Sequence, residues 1–247
     1  MKAMVLAAGL GTRLRSLTDE RPKALTEIGG HTLLEITLTR LREFGVREAI
    51  VNVHHFADMV VDYLAAKHNF GMRVEVSRED ILLDTGGGLK QAAWFFLEDA
   101  RDEPFLLHNV DVLSTIDLAA MVRFHCDHQA LATLAVQERK SSRYLLFDEQ
   151  GLLCGRRFER EDRTELARPS AILQALPFCG IHVISPRLLA MMTEDGIFSI
   201  IETYLRLAAR GERIAAFRAD GEYWRDLGTI ESLEQAEMDF RTGVLPT

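Results

Sequence analysis

Apolar positions along the first half of the chain follow two alternating rhythms. Ala3–Ala8 is an unbroken apolar run of strand length, whereas Leu34, Leu38 and Leu41 recur at helical spacing ahead of Gly45. The pattern predicts a buried strand at Ala3–Ala8 and a helix over Leu33–Phe44 that stops at Gly45. It continues with a strand at Glu48–Val53, a helix at Asp58–His68 closing at Gly71, a strand at Met72–Ser77, a helix at Leu89–Glu98 and a strand at Phe105–Asn109. Apolar strands alternating with helices belong to a parallel sheet covered on both faces.

Past residue 130 the rhythm changes. Leu131–Gln137, Tyr144–Phe147, Leu152–Phe158 and Phe178–Ile184 are strand-like with few helices between them, so antiparallel additions are expected. Gly151 after Asp148-Glu149-Gln150 predicts a hairpin turn. Helices at Ile200–Ala209 and Ile230–Phe240 complete the pattern. The fold class is therefore α/β: a mixed, mostly parallel sheet flanked by helices, with a small antiparallel β elaboration. No repeat or low-complexity linker interrupts it, so 1–247 is expected to form one domain with halves at about 1–130 and 131–247. The charged segment 156–168, RRFEREDRTELAR, is expected to be a solvated flap or loop. Trp94, Phe95 and Phe96 are expected in the core.

Composition narrows the function. The chain has 247 residues, 47% of them hydrophobic, enough for a full core. Its 29 Lys and Arg against 37 Asp and Glu give a net charge of −8, which argues against a general nucleic-acid binder. The three cysteines, Cys126, Cys154 and Cys179, share no CxxC spacing, which suits a reducing cytoplasm and supports neither a disulfide frame nor a zinc site. Lys2 before Ala3–Leu10 faintly imitates a secretion signal, but the apolar part is short and runs into Arg13 and Arg15. No apolar run approaches the ~18 residues of a membrane span. A soluble, cytoplasmic protein is expected, a monomer or homodimer without nucleic-acid or membrane partners.

Against that acidic balance, one stretch is cationic. GLGTRLRSLTDERPKAL, residues 9–25, carries Arg13, Arg15, Arg21 and Lys23 against Asp19 and Glu20, directly after the first strand. Glycines without Cβ let backbone N–H groups approach phosphate oxygens. Arg13 offers a planar fork, and Lys23 a point charge behind the stiffening Pro22. The loop is not a GxxxxGK[ST] motif, and Leu14 stands where a dinucleotide fingerprint needs its third glycine. Elsewhere, Asp84-Thr85-Gly86-Gly87-Gly88 precedes the Leu89 helix as bare backbone on which a flat ligand can lie. Asp111, beyond the strand Phe105–Asn109, and Asp226, in YWRDLGT, are each open to reading as turn or capping residues. His125-Cys126-Asp127-His128 has ligand spacing but is expected at an exposed helix end, and His54-His55 is expected to be structural.

LAAGLGTRLRSLTDERPKAL closely resembles the signature of the sugar-phosphate nucleotidyltransferases, G-x-G-T-R-(L/M)-x-P-L-T-x-x-x-P-K. LLDTGGGLKQA (82–92), FLLHNVDV (105–112), FCGIHVISP (178–186) and YWRDLGTIESLEQAE (223–237) follow in the family's order. The similarity is to the short bacterial group without a C-terminal β-helix domain, which includes N-acetylmuramate 1-phosphate uridylyltransferases and mannose- or heptose-1-phosphate guanylyltransferases. The resemblance implies a Rossmann-like nucleotidyltransferase fold and the reaction of an NTP with a sugar 1-phosphate to an NDP-sugar and pyrophosphate. Such a product would be a precursor of cell wall or surface polysaccharide. It further implies nucleotide contacts at Ala8, Gly9, Gly11, Thr12, Arg13, Lys23, Gly87, Gly88 and Asn109, with Arg13 and Lys23 catalytic. Gly180 would face the sugar phosphate, and Asp111 with Asp226 would hold Mg²⁺. The first half would bind the nucleotide and the second the sugar phosphate.

Two departures stand out. Ser16 occupies the family's proline position, and no Glu-Lys-Pro segment supplies a lysine to the sugar phosphate. UTP is expected ahead of GTP. The alternatives are a GTP-using mannose- or heptose-1-phosphate guanylyltransferase, a cytidylyltransferase for a phospho-alcohol, a nucleotide-sugar-dependent glycosyltransferase and a non-catalytic nucleotide sensor. A glycosyltransferase usually shows Asp-x-Asp where this chain has Asn109-Val110-Asp111. A sensor is expected to lose one of Arg13, Lys23, Asp111 and Asp226, all of which are present.

Overall fold

Hydrophobic strands and capped helices assemble as the pattern requires. The computed structural model describes residues 1–99 and 102–243; the side chains of Arg15 and of Ser16, at the family's proline position, lie outside those described. Seven strands form the main sheet in the order Ile214–Arg218, Ala132–Val136, Phe178–Ile184, Phe105–Asn109, Lys2–Leu6, Glu48–Val53 and Arg73–Arg78. Phe178–Ile184 runs antiparallel to both its neighbours, and the other adjacent pairs are parallel. One sheet thus passes through both halves of the chain.

Successive side chains of a strand face opposite ways, and both faces here are apolar. Ala3, Val5 and Val51 pack with Leu34, Leu38 and Leu41 on one side. Met4, Ile50 and Leu107 pack with Phe95, Phe105 and Tyr204 on the other. The helix Leu33–Phe44 has its expected bounds because its ends are specified: the Thr32 hydroxyl accepts from the Glu35 N–H, and Gly45 closes it at φ 109°.

Three expectations are corrected. The helix foreseen at Leu89–Glu98 is two, Asp84–Gln91 and Ala93–Leu97, and the glycine triplet lies inside the first of them. Trp94 is half exposed, while Phe95 and Phe96 are buried as expected. The charged segment is no loop: Leu153–Phe158 and Arg163–Leu166 pair in a four-stranded antiparallel sheet with Arg143–Phe147 and Gln174–Leu176. Its charges pair across strands, as where Arg156 Nε meets Glu165 Oε2 at 2.6 Å.

Three histidines are buried neutral. Burial lowers His108 to about 3, His182 to about 3 and His125 to about 4. Each binds a proton more readily when unfolded, near pH 6.5, so stability is full above that value and falls as pH drops. At pH 5 the deficit is about 2 kcal/mol for each group. The depressed carboxylates Glu98 and Glu194 add nothing in this window, because their contribution is lost only below the unfolded value near 4.5. The melting temperature is expected to fall by roughly 10–25 °C between pH 7 and pH 5. A flat calorimetric profile over that range would contradict the buried neutral state.

Candidate active site

From Lys2–Leu6 the chain moves outward to Glu48–Val53 and Arg73–Arg78, then returns to the other side of Lys2–Leu6 as Phe105–Asn109. The segments leaving the two central strands diverge, which opens a crevice at their carboxyl ends. A cavity of about 340 Å³ lies there, lined by Ala8, Gly9, Lys23, Asn109 and Asp111 of the anticipated residues. Asn52, Glu79, Asp84 and Thr85 also line it.

The glycine-opened loop is shaped by Gly11. Its φ is +64°, and a Cβ there would lie 2.9 Å from Thr18 Cγ2 and 3.2 Å from Lys23 Cβ. The Gly11 carbonyl accepts from the Leu14 N–H at 2.7 Å and the Thr18 hydroxyl at 3.1 Å. Thr12 and Arg13 are left exposed on the turn, and Pro22 leads into a short 3₁₀ turn on which Lys23 is buried. The Lys23 ammonium donates to Asp111 Oδ2.

Two aspartates far apart in sequence meet because the chain makes a small ribbon. Val112–Ser114 pairs antiparallel with Trp224–Asp226, placing Asp226 opposite Val112. The Leu227 N–H donates to the Asp111 carbonyl at 2.8 Å. Asp226 Oδ1 accepts from the Gly228 N–H at 2.9 Å, with Arg13 Nη2 at 4.0 Å. Burial raises the Asp226 pKa, and the like charge of Asp111 raises it further, against the opposing pull of Lys23, the Gly228 N–H and Arg13. Each carboxylate thus has one cation of the loop beside it. A Cβ on Gly228 would overlap Arg13 Nη2 and lie 2.5 Å from Asp226 Oδ1, so this position admits no side chain without moving both.

Gly87 and Gly88 do not present open backbone. Both are buried in a helix: a Cβ at Gly87 would overlap the Gly196 carbonyl, and one at Gly88 would lie 2.7 Å from Glu79 Oε1. The cleft wall in this region is Leu82, Asp84 and Thr85. Gly180 lies on a buried strand at φ +74°, where a Cβ would be 2.9 Å from Asn109 Nδ2, so the glycine lets that strand pass Asn109 closely.

Asn52, Glu79 and Gly228 were missed by sequence reasoning. Asn52 Oδ1 accepts from the Ala7 N–H at 2.8 Å and its Nδ2 donates to Glu79 Oε1 at 2.6 Å, tying the start of the phosphate loop to the cleft wall. Glu79 Oε2 accepts from the Leu83 N–H at 2.9 Å. A polar residue inside the apolar strand sequence EAIVNV was the available signal for Asn52. His54 bonds the Glu79 carbonyl through Nδ1, and buried His125 bonds Thr133. Among the described residues no group of three or more His, Cys, Asp and Glu is arranged to hold a metal.

A larger hollow, about 710 Å³, lies beside the Leu33–Phe44 helix. Two of its charged groups are engaged: Glu35 accepts from Tyr63 and Lys67, and Arg40 donates to Ser114 and the Ile116 carbonyl. None of the residues expected to handle phosphate or metal lines it. The smaller cleft is the candidate site.

The chain is similar to known proteins. A family described as Nucleotidyl transferase matches residues 2–150. N-acetylmuramate alpha-1-phosphate uridylyltransferase of Caulobacter vibrioides is 34% identical over 95% of each chain. Mannose-1-phosphate guanyltransferase of Yarrowia lipolytica is 29% identical, over 92% of this chain but only 61% of the longer relative. Among solved structures, HddC from Yersinia pseudotuberculosis complexed with GMP-PN superposes with a TM-score of 0.75 at 21% identity, covering 97% of this chain and 99% of that one, which shows a common fold.

Proposed function

The chain belongs to the nucleotidyl transferase family, and from that premise we propose that it forms a nucleoside diphosphate sugar and pyrophosphate from an NTP and a sugar 1-phosphate. The preferred nucleotide is UTP. The observation that carries this reading is the pairing of Lys23 with Asp111 and the approach of Arg13 to Asp226 at the carboxyl ends of the two central strands. Lys23 and Asp111 line a cleft whose entrance loop has glycine-shaped backbone, and Arg13 meets Asp226 next to them.

The donor set suits Mg²⁺. Asp226, on one ribbon strand, and Asp111, immediately before the other, supply hard oxygens, and a magnesium ion takes few protein carboxylates, completing its shell with water and substrate phosphate. When bound, the ion neutralises phosphate charge and orients the α-phosphate. The protein supplies positioning and cations. Lys23 leaves Asp111 for the α-phosphate and the sugar phosphate, and Arg13 turns from Asp226 to the phosphates that depart as pyrophosphate. The attacking oxygen of the sugar phosphate is already anionic, so no general base is required, and catalysis is alignment with charge stabilisation.

Support for UTP ahead of GTP comes from a uridylyltransferase similar to this chain over 95% of both lengths. GTP is second because a guanyltransferase also matches, over 92% of this chain. A site whose buried polar groups fit one base rejects another strongly, since mismatched groups are left unpaired. One NTP is expected to exceed the others in kcat/KM by at least ~10². The test is kcat/KM for the four NTPs with the best sugar 1-phosphate found; a clear GTP preference overturns the UTP assignment, and equal rates would show that the cleft does not read the base.

A further inference from the structure

We propose that Arg139 is the residue that receives the phosphate of the acceptor sugar, the role left open by the absent Glu-Lys-Pro lysine. The proposal rests on the nucleotidyltransferase reading for the identity of the acceptor. Its position follows from topology. Ala132–Val136 runs antiparallel to Phe178–Ile184, which runs antiparallel to Phe105–Asn109, so Ala132–Val136 ends at the same sheet edge as the strand leading to Asp111. Arg139 lies three residues past that end.

Its side chain points toward the ribbon that carries Asp226. The guanidinium stacks on Trp224, its carbon 3.7 Å from the ring centroid. Trp224 is two residues before Asp226 on the ribbon strand, so the two side chains face the same way. The Asp226 carboxylate acts electrostatically on Arg139. The Trp224 indole is itself fixed, donating to the Cys179 carbonyl at 2.8 Å.

The cation has no carboxylate partner among the described residues, its neighbours being the Phe178 carbonyl and the Cys179 thiol. Arg139 Nη2 donates to the Phe178 carbonyl at 2.8 Å, but its Nε is buried with no hydrogen-bond partner among the described residues. No ion pair joins it to a carboxylate of those residues, whereas Lys23 and Arg13 each have an aspartate beside them. A half-buried guanidinium stacked on an aromatic face with no carboxylate counter-ion is preorganised for a phosphate. On this arrangement Arg13 serves the nucleotide, Lys23 bridges the α-phosphate and the sugar phosphate, and Arg139 grips the sugar phosphate from the side of the Asp226 ribbon.

The test compares Arg139→Met and Arg139→Lys with the unaltered protein in two assays: steady-state kinetics, and titration of a sugar 1-phosphate into protein holding a non-hydrolysable UTP analogue. For Arg139→Met, KM for the sugar 1-phosphate and its dissociation constant are expected to rise ~10²-fold while KM for UTP changes less than about threefold; Arg139→Lys recovers part of the loss. Unchanged UTP kinetics and melting temperature report an intact fold. An acceptor KM unmoved by Arg139→Met, or a UTP KM that rises equally, overturns the assignment. Should the unaltered protein bind the sugar phosphate through Arg139 yet form no nucleotide sugar, the proposed reaction fails and Arg139 stands; should it bind none, both fail.

Discussion

Asp111→Asn and Asp226→Asn are each expected to lower kcat by at least a hundredfold, about 2.7 kcal/mol of barrier, without unfolding the chain. Each substitution keeps the shape and removes one of the two hard anionic oxygens proposed to hold Mg²⁺. The fold is spared because the Asp111 carbonyl still accepts from Leu227, and the side-chain amide oxygen introduced by Asp226→Asn can still accept from the Gly228 N–H. Burial and the charge of Asp111 already disfavour the Asp226 carboxylate, so the pair is costly without a cation between them. Removing one charge relieves that repulsion. For Asp226→Asn, a melting temperature unchanged or raised beside a lost kcat is the signature of a site that gives up stability for metal binding. Asp111→Asn also leaves the buried Lys23 ammonium without its carboxylate and is expected to lower the melting temperature. Retention of more than a tenth of the original kcat by either variant would contradict the metal assignment.

The second large effect belongs to Lys23. Lys23→Met is expected to cost at least ~10² in kcat and to raise KM for both substrates, because one ammonium is proposed to bridge the α-phosphate and the sugar phosphate. That double effect separates it from Arg139→Met, whose loss is confined to the acceptor. Lys23 is buried against Asp111, so its removal also leaves that carboxylate without its partner. Lys23→Arg keeps the charge and is the control for this stranding. An increase in KM for UTP alone would remove Lys23 from the acceptor side.

The legible parts of the fold were those with local causes. Thr32 and Gly45 set the ends of Leu33–Phe44 in the sequence itself, and the apolar strands could be read because both of their faces are buried. The glycine helix was not legible, since three successive glycines disfavour a helix on their own. It forms because Gly86 packs on Phe198, Gly87 on Gly196 and Gly88 on Asn52 and Glu79, contacts made with distant parts of the chain. The 156–168 segment misled for a related reason: a high charge density resembles a solvated loop until Glu165 is seen opposite Arg156 on a neighbouring strand.

The candidate site divides in the same way. Arg13, Lys23 and Asp111 lie in motifs that can be quoted, and the structure gathers them. The ribbon that sets Asp226 beside Asp111 is three residues on each side, too short to leave a period in the sequence. Gly228 and Arg139 act through position alone, one by leaving room for Arg13 and Asp226, the other by resting on Trp224.

The decisive measurement is the product balance when the protein is incubated with Mg²⁺, UTP and a panel of sugar 1-phosphates. With the right acceptor, pyrophosphate and UDP-sugar should appear in equal amounts, the sugar phosphate's own oxygen should form the new bond to the α-phosphorus, and chelation of the metal should stop the reaction. Hydrolysis of UTP without a sugar adduct for any acceptor, or transfer of sugar from a supplied nucleotide sugar to another molecule, would contradict it.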